Sequence, residues 1–226
     1  MVKSHHDYIY NEDRQEFVRE FDEMYKKFGD PHGQMLSSQN YAHTTYLYHI
    51  NEIILPMFNQ KINWLDVGCG LGFFTGRIHK INKEKIDITG IDLSLEAVKK
   101  AKGINIKWGG GEQFDVGNLL EDDFKKSFGK FDVVSCFETL YYFKANEILL
   151  VINNLLSCVK KNAFIILSYH LPINMNYGHY IKSMSDLTKL FKNAKIIFSM
   201  DYTDNFSKIY SGETFGRHLF VILKND

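Results

Sequence analysis

An α/β fold with a doubly wound, mostly parallel sheet is predicted by three observations. A short apolar run, Ile62 to Val67, leads into glycines at alternate positions, Gly68, Gly70 and Gly72, and then into a helical pattern from Phe73. A second apolar run, Ile86 to Asp92, ends on an acid and is again followed by a helical pattern. Further on, Phe131 to Phe137 and Ala163 to Tyr169 repeat the buried-strand pattern, with a helical stretch between them. Strands that alternate with helices pair in parallel and carry helices on both faces.

Taken in order, the chain opens with Tyr8-Ile9-Tyr10. A helix is expected over about Asn11 to Phe28, where Phe17, Phe21, Met24, Tyr25 and Phe28 recur at helical spacing and Gly29 closes the run. Asp30-Pro31-His32-Gly33 reads as a turn. A second helix is expected from Gln39 to Leu55, ending or kinking at Pro56. Its first half, with Tyr41, His43, Tyr46, Tyr48 and His49, is rich in aromatics that also hydrogen-bond.

From Ile62 the alternation is regular. The first strand ends in the glycine turn, and a helix follows from Gly72 to Ile81. The second strand, Ile86 to Asp92, precedes a helix from Leu95 to Lys102. The third strand is placed at Glu112 to Val116, with Ile104 to Gly111 as an extended connection. The fourth is Phe131 to Phe137, a helix spans Ala145 to Leu156, and the fifth strand is Ala163 to Tyr169. A helix near Met184 to Phe191 and strands at Lys195 to Met200 and His218 to Leu223 complete the pattern. The polar stretch from Asp201 to Gly216 reads as a long loop able to close over a ligand.

Composition narrows the function. At 226 residues the chain suits one domain with an ample core. Its 27 basic and 27 acidic residues give no net charge, which disfavours nucleic acid as the main partner. Cys69, Cys136 and Cys158 show neither a disulfide framework nor zinc-ligand spacing, and no metal motif is present. The first residues lack an apolar signal region and no run has the length of a membrane span, so a cytoplasmic enzyme is expected, away from membranes.

The glycine turn carries the chemistry. Glycines let the backbone bend sharply and approach a ligand at a helix N-terminus. A dinucleotide fingerprint would place its third glycine at position 73, which is Phe73, and a Gly-Lys-Ser/Thr phosphate loop is missing. What stands instead is Asp66-x-Gly68-x-Gly70-x-Gly72, then Asp92-Leu93-Ser94 at the end of the second strand. An acid there can accept hydrogen bonds from ribose hydroxyls, a device that NAD enzymes share, or can cap the next helix.

Together these segments resemble the first two motifs of the class I S-adenosylmethionine-dependent methyltransferases. The resemblance covers about residues 60 to 223. It implies a Rossmann-like seven-stranded sheet with the last strand antiparallel, preceded by an N-terminal helical lid. Domain bounds of 1–58 and 59–226 follow. The implied cofactor is S-adenosylmethionine, leaving as S-adenosylhomocysteine. Asp66 is implied to hold the methionine ammonium, Gly68, Gly70 and Gly72 to run along the cofactor, and Asp92 with Leu93 to hold the ribose. Asn118-Leu119 stands where the family usually has an acid for the adenine amino group; Asn118 can still accept through its carbonyl oxygen. Tyr10 and His43 are candidate pocket residues from the lid, with surface or core packing as the alternative for each.

The stretch Glu138-Thr139-Leu140-Tyr141-Tyr142 is similar to the fourth motif of small-molecule methyltransferases, the nodulation N-methyltransferases among them. It places Glu138 beside the cofactor. It lacks the Asp/Asn-Pro-Pro-Tyr of nucleic-acid amino-methyltransferases and the Pro-Cys of cytosine C5 enzymes. Three residues are candidates for work on the acceptor: His170 at the end of the fifth strand, His43, and Tyr142, which would position it. A base is needed for a hydroxyl acceptor and not for a neutral amine.

The expected activity is methyl transfer to an oxygen or nitrogen of a small metabolite or carbohydrate. A sugar hydroxyl or phosphate-type substituent of a surface polysaccharide is one form this could take. Methylation of protein or RNA, or S-adenosylmethionine binding without catalysis, are the alternatives.

Overall fold

The structure, a computed structural model, describes residues 4–36, 41–108, 110–171, 177–204 and 216–225. Seven strands form the main sheet: β3 (Ile62–Val67), β4 (Ile86–Asp92), β5 (Gln113–Val116), β6 (Phe131–Phe137), β7 (Val159–Leu171), β8 (Ala194–Asp204) and β9 (Gly216–Asn225). Their order across the sheet is β5-β4-β3-β6-β7-β9-β8. β3 pairs in parallel with both β4 and β6, whereas β9 runs antiparallel to β7 and β8. The predicted doubly wound sheet with an antiparallel last strand is therefore present. The chain leaves β3 toward β4 on one side and returns to β6 on the other, and such a reversal opens a crevice at the strand C-termini.

Alternation along the strands sorts the core into two layers. On one face Leu65, Val67, Val134, Cys136, Ile165 and Leu167 pack with Ile9, Met24 and Tyr25 of the N-terminal segment. Helix α6 (Ile148–Ser157) covers the same face through Val151, Ile152 and Leu155. The other face, with Trp64, Ile88, Val133, Ile166 and Phe220, is covered by helix α2 (Tyr41–His49) and its continuation. Ala42, Tyr46, Ile50 and Ile54 fall every fourth residue, and all are fully buried there. Helix α3 (Phe73–Ile81) adds Ile78 to that layer.

Several elements differ from the sequence expectation. The helix expected over residues 11 to 28 is instead a small antiparallel hairpin, β1 (Tyr10–Asn11) with β2 (Glu16–Phe17), followed by a short helix, α1 (Phe21–Phe28). The break has a backbone cause: Gln15 and Arg19 both adopt positive φ, which a helix does not admit. The second helix, expected to Leu55, is α2 followed by a π turn over Ile50–Ile54 and a 3-10 turn over Leu55–Met57. Pro56 sits in the 3-10 turn, where its missing N–H leaves no α-helical bond unmade.

Helix α4 (Leu95–Trp108) continues through Gly103 rather than stopping at Lys102, so the extended connection expected over 104 to 111 is mostly helix. Its last turns are held by the Asn105 side-chain amide, which donates to the Glu112 carbonyl at 2.6 Å. β8 runs on to Asp204, so residues 201–204 of the expected loop are strand, and 205–215 lie outside the described residues. The two remaining helices are α5 (Phe124–Phe128) and α7 (Met184–Lys189). Among the described residues no helix is long and apolar enough to cross a membrane.

Candidate active site

A cavity of about 300 Å³ opens at the C-terminal ends of β3, β4 and β6. Asp66, Gly68, Asp92, Leu93, Asn118, Leu119, Glu138, His43 and Tyr142 all line it, so nine of the sequence candidates converge on one space. Gly70, Gly72, Tyr10 and His170 are not among its lining residues. The Tyr10 hydroxyl donates to Gln15 Oε1, and its ring packs on Phe17 and Tyr177. His170 stacks on His218 with ring centroids 4.6 Å apart.

Asp66 lies in β3 directly opposite Ser135 of β6 and is almost wholly buried. The Ser135 hydroxyl donates to its Oδ1 at 2.7 Å and the Thr75 hydroxyl, from α3, to its Oδ2 at 2.6 Å. Ser135 is itself fixed by the Trp64 indole N–H at 2.8 Å. Burial pushes the Asp66 carboxyl up to about 6; the two hydroxyls oppose that and the charge of Asp92 adds to it. An acid so placed gains by meeting a cation.

Asp92 closes the glycine turn. Its Oδ2 accepts the Gly70 N–H at 2.8 Å and its Oδ1 the Ser94 N–H at 2.9 Å. Burial raises this carboxyl, and the two backbone donors hold it back. The turn is completed by Gln34, whose Oε1 accepts the Leu71 N–H at 2.6 Å. Gly68 and Cys69 both donate to the Ile91 carbonyl, and Gly72 to that of Cys69. Every N–H from Gly68 to Gly72 is thus bonded within the protein. A phosphate-binding turn would offer these donors to its ligand. This turn offers carboxylates instead, which fits an ammonium and hydroxyl groups and does not fit a pyrophosphate.

The far wall is held by less obvious residues. Asn154 of α6 donates to the carbonyls of Leu119 and Glu121, both at 2.9 Å, and so fixes the loop carrying Asn118 and Leu119. Arg19 pairs through both terminal nitrogens with Glu147 and also donates to the Tyr142 carbonyl, tying the N-terminal segment over the cavity. Asp22 of α1 accepts from the Ser94 hydroxyl at 2.7 Å and the Glu96 N–H at 3.0 Å.

Glu138 stands just past β6 with φ of 49°, a conformation costly for a residue with a side chain. Its Oε1 lies 3.3 Å from both the Tyr46 hydroxyl and His218 Nδ1. Burial alone would raise this carboxyl, but the hydrogen bond and charge of His218, with His43 and His170 behind it, hold it down at about 2. The nearby histidines behave differently. Burial lowers His43, and it drives His32 down to about 4, aided by His5 and His6. Tyr142 is pushed well above the ordinary tyrosine value, chiefly by burial, so its phenol stays protonated at neutral pH.

Thr75, Ser135, Gln34, Arg19, Asn154 and His218 did not emerge from the sequence. Thr75 had a signal, since it lies on the first turn of the helix that follows the glycines. Ser135, a lone hydroxyl in an apolar strand, had a faint one. Gln34, Arg19, Asn154 and His218 had none, because their roles depend on partners distant in the chain. Among the described residues no His, Cys, Asp or Glu cluster is arranged to hold a metal ion.

Residues 58–211 match the family model described as a methyltransferase domain. No curated protein matches the chain by sequence. Similar solved structures include magnesium protoporphyrin IX methyltransferase from Synechocystis PCC 6803 with bound SAM, at TM-score 0.65 and 16% identity over 91% of this chain and 95% of that one. The N-methyltransferase NodS from Bradyrhizobium japonicum WM9, in complex with S-adenosylhomocysteine, aligns at TM-score 0.61 and 16% identity over 81% and 85%. PH0226 protein from Pyrococcus horikoshii OT3 aligns at 0.64 and 13% over 90% and 99%. At such identities the likeness is one of fold.

Proposed function

The chain belongs to the methyltransferase-domain family, and from that premise we propose that it moves the methyl group of S-adenosylmethionine to a nitrogen or oxygen of a small molecule. The observation that carries this reading is the pairing of Asp66 and Asp92 on one cavity, beside a glycine turn whose N–H groups are all consumed. Asp66 would take the cofactor's ammonium and Asp92 its ribose hydroxyls. Asn118 and Leu119 would meet the base.

Bound there, S-adenosylmethionine supplies a methyl carbon made electrophilic by its sulfonium. What the chain adds is alignment and exclusion of water. Phe74, Phe137, Tyr142 and Phe143 wall the space, and the N-terminal segment, held by Arg19 and Gln34, covers it. This supports a lid role for the first part of the expected lid 1–58, the segment that carries Arg19 and Gln34, while Tyr46, Ile50 and Ile54 belong to the core on the other face. Tyr142, held protonated, can donate a hydrogen bond to the acceptor but is no base at neutral pH. His43, held neutral, can accept a proton where the acceptor must lose one.

Three features support a small acceptor, a metabolite or carbohydrate, over protein or RNA. The cavity is covered by the N-terminal segment, its lining is mainly apolar and acidic, and Arg19, the permanent cation among its described lining residues, is neutralised by Glu147. RNA would call for a basic approach surface. The three cysteines, Cys69, Cys136 and Cys158, are buried and form no disulfide, in keeping with a reducing, cytoplasmic setting.

The test uses methyl-labelled S-adenosylmethionine, the pure protein and a size-fractionated extract of the source cell. Label in the small-molecule or polysaccharide fraction is expected. Label in protein or RNA overturns the acceptor class. Cofactor binding with no transfer to any fraction favours a binding protein without catalysis.

A further inference from the structure

Asp66 and Asp92 account for two of the three acids in the cavity, and Glu138 is left over. Its position is expensive. The backbone is in the left-handed region at φ of 49°, and the residue is pinned there by its own N–H, which donates to both the hydroxyl and the carbonyl of Ser168 at 3.1 Å. Strain of this kind persists where the surroundings enforce it, and it clusters at ligand sites.

The carboxylate is also held from behind. Tyr46, fully buried and stacked between Phe137 and Phe220, brings its hydroxyl to Oε1. His218 reaches the same oxygen from β9. His218 lies in a cross-strand row with His170 of β7 and Tyr202 of β8, its register partners, and the three rings stack. Both supports fall on Oε1. Oε2 is the oxygen these two supports leave, and Glu138 is part of the cavity lining. The same cavity is walled by the aromatic rings of Phe74, Phe137 and Tyr142, whose faces favour a cation. No described lining residue offers an uncommitted positive charge to an acid, because Arg19 is paired with Glu147.

We propose that Glu138 Oε2 receives a protonated amine on the methyl acceptor, so that this enzyme takes amine-bearing small molecules and excludes carboxylates and phosphates. The inference rests on the methyl-transfer reading of the cavity. It assigns Glu138 to the acceptor and not to the cofactor.

The experiment is a calorimetric titration at pH 8, above the ordinary histidine value and below that of an alkylamine. The protein is first saturated with S-adenosylhomocysteine. It then receives three matched probes: 2-phenylethylamine, 2-phenylethanol and 3-phenylpropionate. The amine is expected to bind at least about tenfold more tightly than the other two, as a charge-assisted hydrogen bond in a screened site requires. Glu138→Gln is expected to erase the preference, and Glu138→Asp, which keeps the charge, to retain its direction.

Equal or absent binding of the three probes by the wild type, or a preference for the acid, overturns the proposal whether or not the variants fold. So does a preference that survives in Glu138→Gln, or loss of S-adenosylhomocysteine binding in a folded Glu138→Gln, which would make Glu138 a cofactor residue. Failure of the wild type to bind S-adenosylhomocysteine is a different result. It sinks the methyltransferase reading beneath the proposal.

Discussion

Ser135 and Asp66 face each other across β6 and β3, and the serine hydroxyl donates to the buried carboxylate at 2.7 Å while accepting from Trp64. One small side chain therefore satisfies an indole N–H and steadies the acid proposed to hold the cofactor's ammonium. Ser135→Ala leaves both groups without that partner in a site closed to water. It is expected to cost about 1–3 kcal/mol in urea unfolding. Because the lost hydrogen bond favoured the ionised acid, the Asp66 carboxyl should also rise further, and the pH at which cofactor affinity falls should rise with it.

The pH dependence has a definite sign. Only ionised Asp66 attracts an ammonium, and burial has raised its carboxyl to about 6. Affinity for S-adenosylhomocysteine should be level above neutrality and weaken by about tenfold between pH 7 and pH 5. The stability contribution runs the other way. A raised carboxyl favours the folded state below its unfolded value, and that advantage is lost as pH rises through about 6. Asp66→Asn should therefore weaken ligand binding, flatten its pH profile, and raise the Tm of the ligand-free protein at pH 7 by about 2–4 °C. Titration calorimetry across pH and a thermal melt check these together.

Asp92 holds the glycine turn and, in the proposed reading, the cofactor's ribose as well. Asp92→Ala removes the acceptor of the Gly70 and Ser94 N–H groups. Expected are a fall in S-adenosylhomocysteine affinity of more than about tenfold and a loss of about 1–3 kcal/mol in stability. Asp92→Asn, which keeps one acceptor oxygen, should fall between the two in both assays.

Two glycines separate strain from fit. Gly29 and Gly70 both have positive φ, but a Cβ on Gly29 meets open space whereas one on Gly70 collides with the Gln34 amide. Gly29→Ala should cost about 1–3 kcal/mol, the strain of a side chain at positive φ, and leave ligand affinity unchanged. Gly70→Ala should cost more and weaken ligand binding as well, because Gln34 must leave Leu71. Denaturant melts and ligand titrations of both variants decide it.

What could be read in the sequence was what is local. The strand-turn-helix around Asp66, the acid at Asp92 and the strand order's seven members each depend on short stretches whose pattern is periodic. The hairpin at residues 10–17 was missed because its apolar spacing also fits a helix, and only the positive φ of Gln15 and Arg19 separates the two. Helix α4 was cut short at Gly103 because a glycine lowers helix propensity, yet Ala97, Val98 and Ala101 already pay into buried contacts that carry the helix past it. The supports of the site were illegible for a different reason. Gln34 on Leu71, Arg19 on Glu147 and His218 on Glu138 are pairings between residues far apart in the chain, and no local pattern encodes them.

The measurement that bears most directly on the central claim is a calorimetric titration of the wild type with S-adenosylhomocysteine and, separately, with NAD⁺. Saturable binding of S-adenosylhomocysteine at one site, lost or sharply weakened in Asp92→Ala, with no binding of NAD⁺, is the predicted result. Binding of NAD⁺ without S-adenosylhomocysteine would contradict it, since a turn with no N–H to spare would then be holding a pyrophosphate.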